Sequence, residues 1–311
     1  MPLNMANIAL LVKTQTVLGT PAVPAPGANA MLVRAMTPAL LKGKYVERNL
    51  VRGAKGNYGS IVAGVYRSFE FEVELSASGV AGTAPKIGPL LMACNMAETV
   101  TAATSVVYQP IAGQALPVTM YGYLDGVMFQ MSDARGTVSF SMNAEEIPVA
   151  KFNFIGKYHP MTDVAFPTGL DFSGFKKPLT VGFVNTPTYT VHGLAVVMQQ
   201  FSLDLANELV WRDLVGFAGA RVPDRKPKLS TVFELTNVAT RNWGESVRLG
   251  TEGAVSLVHG VTAGSIVQFD LPVTAFDSDP TISDLDKVAM LNGSLAVMPN
   301  TGNDELVLTF K

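Results

Sequence analysis

The stretch FEFEVELSASGVAGTAPKIGPLLMACNMAET, from Phe69 to Thr99, decides the fold that this sequence predicts. Its first seven residues alternate apolar residues with glutamates, a period of two that is typical of a strand with one buried and one solvated face. A glycine-rich turn follows, and Pro85 opens an apolar run in which Leu90, Leu91 and Cys94 share one helical face. The stretch therefore predicts a two-faced strand covered by a short helix.

Short β patterns also fill the rest of the chain. Asp125-Gly126 separates two alternating segments, and this dipeptide favours a type I′ hairpin turn. Residues 149–155 alternate, with Ala150, Phe152 and Phe154 on one side. Residues 238–248 predict a second short helix, with Thr240 as its N-cap. These patterns predict a mainly β protein.

The composition limits the kinds of partner. Of 311 residues, 48% are hydrophobic and only 15% are charged, against about 25% in an average domain. Either the surface is rich in neutral polar residues or part of it is buried against copies of the chain. The net charge of -2 gives no basic face for tight binding of duplex DNA. The single cysteine, Cys94, excludes an intrachain disulfide and is expected to be buried.

No targeting segment is evident. The N-terminus lacks the basic region of a signal peptide, and no apolar run approaches 18 residues. We therefore expect the protein to fold first in a cytoplasm.

A weak internal repeat predicts two tandem units. Residues 46–51 match 210–215, and residues 73–75 match 233–235, although so few identities also arise by chance. Each half has the order strand, loop, strand, short helix, further strands. We predict two tandem β-sandwich or barrel units, each with one short helix, over residues 1–160 and 188–311, with a linker at 161–187.

A search for catalytic sets finds none. His159, His192 and His259 lie outside any zinc-protease motif, and no nucleophile elbow or phosphate-binding loop is present. Asp277 and Asp279 are suitable oxygen ligands for calcium, but a turn at Asp279-Pro280 is the favoured interpretation. We predict no catalytic residue, no cofactor and no metal site.

Several segments together resemble a known family. They include Phe71–Leu75, Gly79 with Gly82, Gly88–Leu91 and, more weakly, Tyr45–Val51, Ala134–Val138, Glu146–Pro148, Asp213–Val215 and Gly302–Leu306. In order and spacing the chain resembles the major tail tube proteins of long-tailed, siphovirus-like bacteriophages with non-contractile tails. The resemblance implies a non-enzymatic β protein that assembles into stacked rings, forming a channel for DNA ejection.

The resemblance also implies partners and a location. The first partner is the chain itself, in a ring of three chains with pseudo-sixfold symmetry or a ring of six. A tape measure protein, a tail terminator and distal tail proteins are expected further partners, whereas duplex DNA passes without specific contacts and no membrane is involved. The location is the virion tail, after assembly in the host cytoplasm.

Carried onto this sequence, the resemblance gives candidate interface residues. An N-terminal arm (1–12) and a long basic loop (43–67) are expected to reach adjacent rings. The candidates for contacts between subunits are Arg48, Arg52, Lys55, Tyr58, Arg212 and Asp213; ion pairing within the chain is an equally open interpretation of their charges. Glu70, Glu72 and Glu74 are candidates for facing the lumen, where carboxylates repel phosphates, although such stripes are usually just solvated.

Two other functions also fit the sequence. One is a different virion structural protein, such as a tail terminator or a capsid-surface protein, which forms no stacked rings. The other is a β-sandwich module that binds carbohydrate. Its usual exposed aromatic cluster is not evident, because Trp211 and Trp243 lie in separate segments.

Overall fold

The alternating stretch forms the strand that the sequence predicts. In this computed structural model, which describes residues 3–51, 53 and 56–311, the long strand Ser60–Glu74 buries Phe69, Phe71 and Val73. Glu70 on the opposite face is exposed. The helix Gly88–Ala93 follows and buries Leu90 and Leu91, as expected.

The described residues form a mainly β fold with three short helices, which confirms the predicted fold class. In chain order the elements are β1 (Ile8–Thr14), α1 (Pro26–Asn29), β2 (Ala30–Met31), β3 (Ala35–Pro38), β4 (Lys42–Glu47), β5 (Ser60–Glu74), α2 (Gly88–Ala93), β6 (Met96–Thr101), β7 (Ser105–Pro110), β8 (Val118–Leu124), β9 (Val127–Asn143), β10 (Val149–Tyr158), β11 (Thr162–Asp163), β12 (Thr188–Val191), β13 (Leu194–Ala195), β14 (Met198–Asp204), β15 (Val210–Leu214), β16 (Phe217–Arg221), β17 (Lys228–Glu234), α3 (Trp243–Arg248), β18 (Gly253–His259), β19 (Val267–Phe276), β20 (Thr281–Leu285), β21 (Val288–Met298) and β22 (Val307–Phe310).

Most strands form one continuous sheet that folds into two layers around one core, and we call the layers sheets I and II. The layers join where β19 of sheet II also pairs with the end of β21 in sheet I, with Phe276 opposite Leu295. Sheet I has the antiparallel order β3–β5–β10–β9–β14–β17–β21–β20, and β8, β1 and β2 extend it beside the first part of β9. Sheet II has the order β6–β7–β22–β19–β18–β12–β13. The fully buried ring of Phe269 in sheet II lies 5.1 Å from that of Phe140 and 5.3 Å from that of Phe201 in sheet I.

Strands from the two halves of the chain pair with each other. In sheet I, β9 pairs with β14, so that Ser141 lies opposite Ser202. In sheet II, the C-terminal strand β22 lies between β7 and β19. The hydrophobic core is therefore continuous across the halves. Residues 164–187 contain no helix or strand, and Val181 exchanges backbone hydrogen bonds with Glu145 and Glu146 in the β9–β10 turn.

Two four-stranded groups in sheet I share one order and one register. In β3–β5–β10–β9, Ala35, Glu72, Lys151 and Ser139 form one row across the strands. In β14–β17–β21–β20, the corresponding row is Gln200, Val232, Asn292 and Thr281. A neighbouring row begins with Thr37, Glu70 and Asn153 in the first group and with Ser202, Ser230 and Ser294 in the second. Equivalent positions thus differ in chemistry but keep the same pairing.

Several sequence predictions need correction. The N-cap of α3 is Asn242, not Thr240, because the Asn242 side chain accepts a hydrogen bond from the Glu245 N–H. Most of the segment 43–67 is a β-hairpin rather than a loop, since its β-branched and aromatic residues pair across β4 and β5. The acidic run after Asp279 forms strand β20, and its turn lies at Asp286-Lys287. The one-turn helix α1 was not predicted.

Candidate functional site

A long hairpin projects from one end of sheet I. We call strand β4 together with residues 60–66 of β5 hairpin A; here β5 pairs with β4, and β10 joins β5 only from Tyr66 onward. Tyr45 lies opposite Val62 and Val46 opposite Ile61, and all four side chains are exposed. Large apolar residues exposed on both faces of a hairpin indicate a surface that another molecule covers.

A second hairpin occupies the equivalent place in the other half. Hairpin B is formed by β15 and β16, residues 210–221, around a turn in which Gly216 has a φ of 89°. Leu214 and Val215 are exposed near its tip. Val215 is 109% exposed, and Val51 beyond β4 of hairpin A is 103% exposed. The two segments of the repeat, 46–51 and 210–215, therefore both place an apolar residue in solvent.

The two hairpins pack against each other. The Trp211 ring stacks on the Tyr66 ring with centroids 5.6 Å apart and an interplanar angle of 22°. Gly64 lies beside Asp213, and its φ of +60° is a backbone conformation that favours glycine. A groove of about 540 Å³ remains between the hairpins, lined by Lys44 among others.

A buried arginine fixes the root of hairpin A. Arg67 is fully buried, with its guanidinium 4.7 Å from the Tyr158 ring centroid and 5.3 Å from that of Phe129. It donates hydrogen bonds to the backbone oxygens of Gln130 and Leu40, both at 3.3 Å. Burial lowers the pKa of Arg67 below its ordinary value. These contacts orient the hairpin where it leaves the body of the molecule.

A second buried arginine fixes hairpin B from the first half of the chain. Arg135 on β9 donates to the Ala220 oxygen of β16 at 2.7 Å and to the Ala115 oxygen at 2.9 and 3.2 Å. Burial is the main cause of its lowered pKa, and the nearby charge of Arg221 acts in the same direction. Hairpin B is thus held by a residue that precedes its contact on β16 by 85 positions in the chain.

The structure brings some predicted interface residues together. Arg212 and Asp213 lie on hairpin B, Arg48 follows β4, and all three are exposed. The half-buried Tyr58 precedes β5, whereas Arg52 and Lys55 lie outside the described residues. The ion pairs found in the described part of the chain are Arg225–Glu305, Lys226–Asp224, Lys228–Asp277 and Arg248–Glu245. None of them involves Arg48, Arg212 or Asp213.

The side of sheet I that points away from the core carries mostly polar residues, and we call it the polar face. On its central strands β5, β10, β9, β14 and β17 it contains Glu70, Glu72, Glu74, Val149, Lys151, Asn153, Thr137, Ser139, Ser141, Asn143, Gln200, Ser202, Asp204, Lys228, Ser230, Val232 and Glu234. Five carboxylates and two lysines in this set give a net charge of −3. Glu70 is exposed, and Glu72 and Glu74 are half-buried beside it.

The histidines are engaged in structural contacts. The Nε2 atoms of His159 and His192 lie 2.8 and 3.1 Å from the hydroxyls of Ser132 and Thr274. His259 lies on β18. Its Nδ1 contacts the Thr186 hydroxyl, and its Nε2 contacts the Leu179 backbone oxygen. Burial lowers the pKa of all three, and for His192, where Arg241 adds to the effect, the pKa falls to about 4.

Within residues 3–51, 53 and 56–311, no group of three His, Cys, Asp or Glu side chains is placed to hold a metal ion. Over the same residues, no helix has the length and apolar character needed to cross a membrane. Cys94 is fully buried, as predicted, and burial raises the pKa of its thiol well above the ordinary value.

Sequence reasoning missed the residues that position the hairpins. Arg67 and Arg135 each interrupt a strand pattern with a charge, and a charged residue at a position expected to be buried is a signal for a hydrogen-bonded anchor. The stacking partner of Trp211 gave no such signal, because Tyr66 is distant in sequence.

The comparison with known families agrees with this architecture. A family model described as phage tail tube protein matches residues 5–302. No match was found among curated proteins. A match over nearly the whole length, to a chain whose described residues form the predicted β fold, shows that this protein belongs to the phage tail tube protein family.

Proposed function

We propose that this chain assembles into rings that stack to form the phage tail tube, the channel through which DNA is ejected. Membership of the tail tube family gives the general role of a structural tail protein. The observation that carries the finer proposal is the pair of projecting hairpins with apolar tips, which find no cover within the described part of the chain.

The repeated register supports a tandem duplication. Two units of four strands, each with its own hairpin and short helix, occupy residues 1–160 and 188–311, with 161–187 as the linker. Three chains then supply six similar units, in a ring with pseudo-sixfold symmetry. A ring of six chains is the alternative. Host cytoplasm is the site of assembly in either case.

The hairpins are proposed to make the contacts between subunits. Arg48, Arg52, Lys55 and Tyr58 lie between β4 and β5 in the sequence, and hairpin B carries Arg212 and Asp213. The exposed charges on these hairpins are available to residues of another copy, and arginine is well suited to such ion pairs. Contacts with the tape measure, terminator and distal tail proteins are expected at the ends of the tube.

The polar face is proposed to line the channel. Glu70, Glu72 and Glu74 give it an acidic edge, and the neutral serines, threonines and asparagines offer no fixed positive charge. A wall with net negative charge repels phosphates, so that a duplex slides past without binding.

Electron microscopy of the purified chain at rising concentration tests the assembly. We expect rings and stacked tubes, with class averages that separate three chains from six. A variant in which residues 48–58, which connect β4 to β5 in the sequence, are replaced by Asp-Gly keeps both strands of hairpin A. It is expected to form rings that do not stack. Persistent monomers from the unaltered chain at all concentrations would contradict the proposal.

Cysteine labelling of assembled tubes tests the position of the polar face. Glu72→Cys in the channel reacts with a small maleimide but not with one attached to a large polymer. Phe183→Cys serves as the comparison, because Phe183 is 99% exposed on another surface. Reaction of Glu72→Cys tubes with the large reagent would place the polar face outside.

A further inference from the structure

The segment that joins β17 to β18 is tied to the rest of the molecule at few points. We call residues 236–252, which include α3, the cap. The cap is bonded internally: the Trp243 indole N–H, for example, donates to the Thr236 hydroxyl at 2.9 Å. Among the residues that the structure describes, the hydrogen bonds that leave the cap run from Arg241 to His192. The cap can therefore move as one unit if the contact between Arg241 and His192 is lost.

One aromatic ring anchors the cap by packing. Helix α3 buries Trp243 and Ser246, whereas α2 in the first half buries four residues. Trp243 is 3% exposed, and its ring centroid lies 5.1 Å from that of Phe233 and 6.3 Å from that of Phe276. The strands on both sides of the cap do not depend on it, because β17 pairs with β14 and β21, and β18 pairs with β12 and β19. Release of the cap thus leaves the strand pairing intact.

The hydrogen bonds around His192 fix where its proton lies. The Thr274 hydroxyl donates to the Gly253 backbone oxygen at 2.8 Å, so it accepts from the His192 Nε2–H at 3.1 Å. The other ring nitrogen, Nδ1, therefore carries no proton and accepts from Arg241 Nη2 at 3.3 Å. Arg241 Nη1 also donates to the His192 backbone oxygen at 2.8 Å. The contact between Arg241 and His192 thus requires a neutral imidazole.

The charges near this contact oppose a protonated ring. Burial and the charge of Arg241 hold the pKa of His192 at about 4. The carboxylates on the elements packed against the ring lie elsewhere: Glu234 of β17 is on the polar face, Glu245 of the cap pairs with Arg248, Glu252 is exposed, and Asp277 after β19 pairs with Lys228. A protonated ring would therefore lose the hydrogen bond from Arg241 and face its positive charge without a nearby carboxylate to offset it.

Packing holds the His192 ring in place beside Arg241. A Cβ at Gly253 would lie 2.6 Å from the His192 Cγ, so the imidazole lies directly against the backbone of β18. The rings of Phe276 and Trp243 flank it, with centroids 6.0 and 6.3 Å away. The repulsion that follows protonation is thus relieved by movement of the cap and not of the imidazole.

We propose that the cap is released by acid: a proton on Nδ1 of His192 breaks the contact with Arg241 and frees Trp243 from its pocket, while sheets I and II stay folded. The released cap uncovers Phe233 and Phe276, so that an apolar pocket opens where the surface was closed. The surface around α3 thereby takes a shape that depends on pH. This release is a property of the single chain and does not rest on the ring assembly proposed above.

The size of the response follows from the difference between the closed and the open cap. His192 has a pKa of about 4 when the cap is closed and regains its ordinary pKa of 6.5 when the ring reaches water. Above pH 6.5 the ring is neutral in both states, so the ratio of open to closed caps is constant. Below pH 6.5 this ratio rises nearly tenfold per pH unit and levels off below pH 4, a gain of about 100-fold between pH 7 and pH 4.

Thiol labelling of the full chain tests the release. Ser246→Cys places a thiol on the buried side of α3, Phe183→Cys places one in solvent, and the native Cys94 lies in the core of the first half. The reagent is 4,4′-dithiodipyridine, which reacts with thiols in acid as well as at neutral pH, and peptide mass mapping assigns the labelled site. The labelling rate of Ser246→Cys, divided by that of Phe183→Cys at the same pH, measures the open fraction even when it is small. We expect this ratio to rise about 100-fold from pH 7 to pH 4, with no rise at Cys94.

Four further variants locate the proton. His192→Gln cannot be protonated, so the ratio should stay flat below pH 6.5. His192→Asn repeats this test with a side chain that tolerates the positive φ of 50° at the position. Arg241→Met lacks the contact with His192 and should raise the ratio several-fold already at pH 7. His259→Gln alters a buried histidine outside the cap and should leave the response unchanged.

Three results would overturn the proposed release. An equal rise at Cys94 and at Ser246→Cys would mean that acid unfolds the whole chain and not the cap alone. A ratio that does not change between pH 7 and pH 4 would show that other contacts hold the cap closed. A rise that persists in both His192 variants, with folding confirmed by circular dichroism, would assign the response to another group.

Discussion

The two halves of sheet I build the same four-stranded arrangement from different residues. Glu70 and Glu72 in the first half are replaced by Ser230 and Val232 in the second, yet each keeps its strand neighbours. The halves differ where they are not paired: hairpin A is long and basic, and hairpin B is short and stacked on it. The comparison teaches that strand register and the burial of apolar side chains set this fold, while the residue types vary on its exposed faces and edges.

The largest effect is expected where both halves share one core. Phe269→Ala removes the ring that contacts Phe140 and Phe201, and the free energy of unfolding should fall by about 3–5 kcal/mol. Denaturant unfolding should remain one transition. Circular dichroism reports on the whole chain and fluorescence on the second half, where both tryptophans lie, so the two unfolding curves should coincide. Phe183→Ala, at an exposed site, is the control. Two separate transitions in the unaltered chain would show that the halves fold independently.

Removing the arginine that anchors one hairpin should loosen that hairpin and not the other. Arg67→Ala leaves two backbone oxygens without their donor and should lower the free energy of unfolding by about 2–4 kcal/mol. Limited proteolysis should then increase within residues 42–66 but not within 210–221. Arg135→Ala should give the opposite pattern. Equal cleavage of both hairpins in either variant would argue against separate anchors.

Acid should weaken the second half through His192. Its pKa is about 4 when folded and 6.5 when exposed, so the unfolded chain takes up a proton first as the pH falls. The stabilisation is complete above pH 6.5 and is lost progressively down to pH 4, by about 3 kcal/mol. His192→Gln should flatten this part of the pH profile. A profile that is unchanged in His192→Gln would assign the effect to other groups.

Stacking between the hairpins should contribute less. Trp211→Ala removes the contact with Tyr66 and should cost about 1 kcal/mol, whereas Trp211→Phe should keep most of it. Thermal unfolding of the two variants makes the measurement. Identical melting temperatures for both would show that the stack does not stabilise the chain.

The hairpin tips should have the smallest effect on the single chain. Val51→Ser and Val215→Ser alter side chains that lie fully in solvent, so the free energy of unfolding should change by less than about 0.5 kcal/mol. The concentration at which rings or tubes appear should nevertheless rise. Unchanged assembly in the double variant would remove the tips from the proposed interface.

Local patterns in the sequence predicted much of the fold. The alternation at 69–75 and 149–155, the Asp125-Gly126 turn and a short helix after Pro85 are confirmed, because each depends on contacts within a few residues. Strand β20 was missed, since its five residues bury nothing in the chain and give no apolar alternation. For the candidate site, the sequence predicted the two segments that form the hairpins but not the buried Arg67 and Arg135 that hold them in place.

The sequence by itself determined the mainly β class, the family resemblance, the absence of a recognised catalytic motif and the burial of Cys94. These follow from period, spacing and composition, which are local properties of the chain. The tertiary structure alone decided that β9 pairs with β14, that Trp211 stacks on Tyr66, and that β3 and β20 are left as free edges. Such contacts join residues far apart in the chain. They are selected by which faces remain to be buried once the local elements have formed.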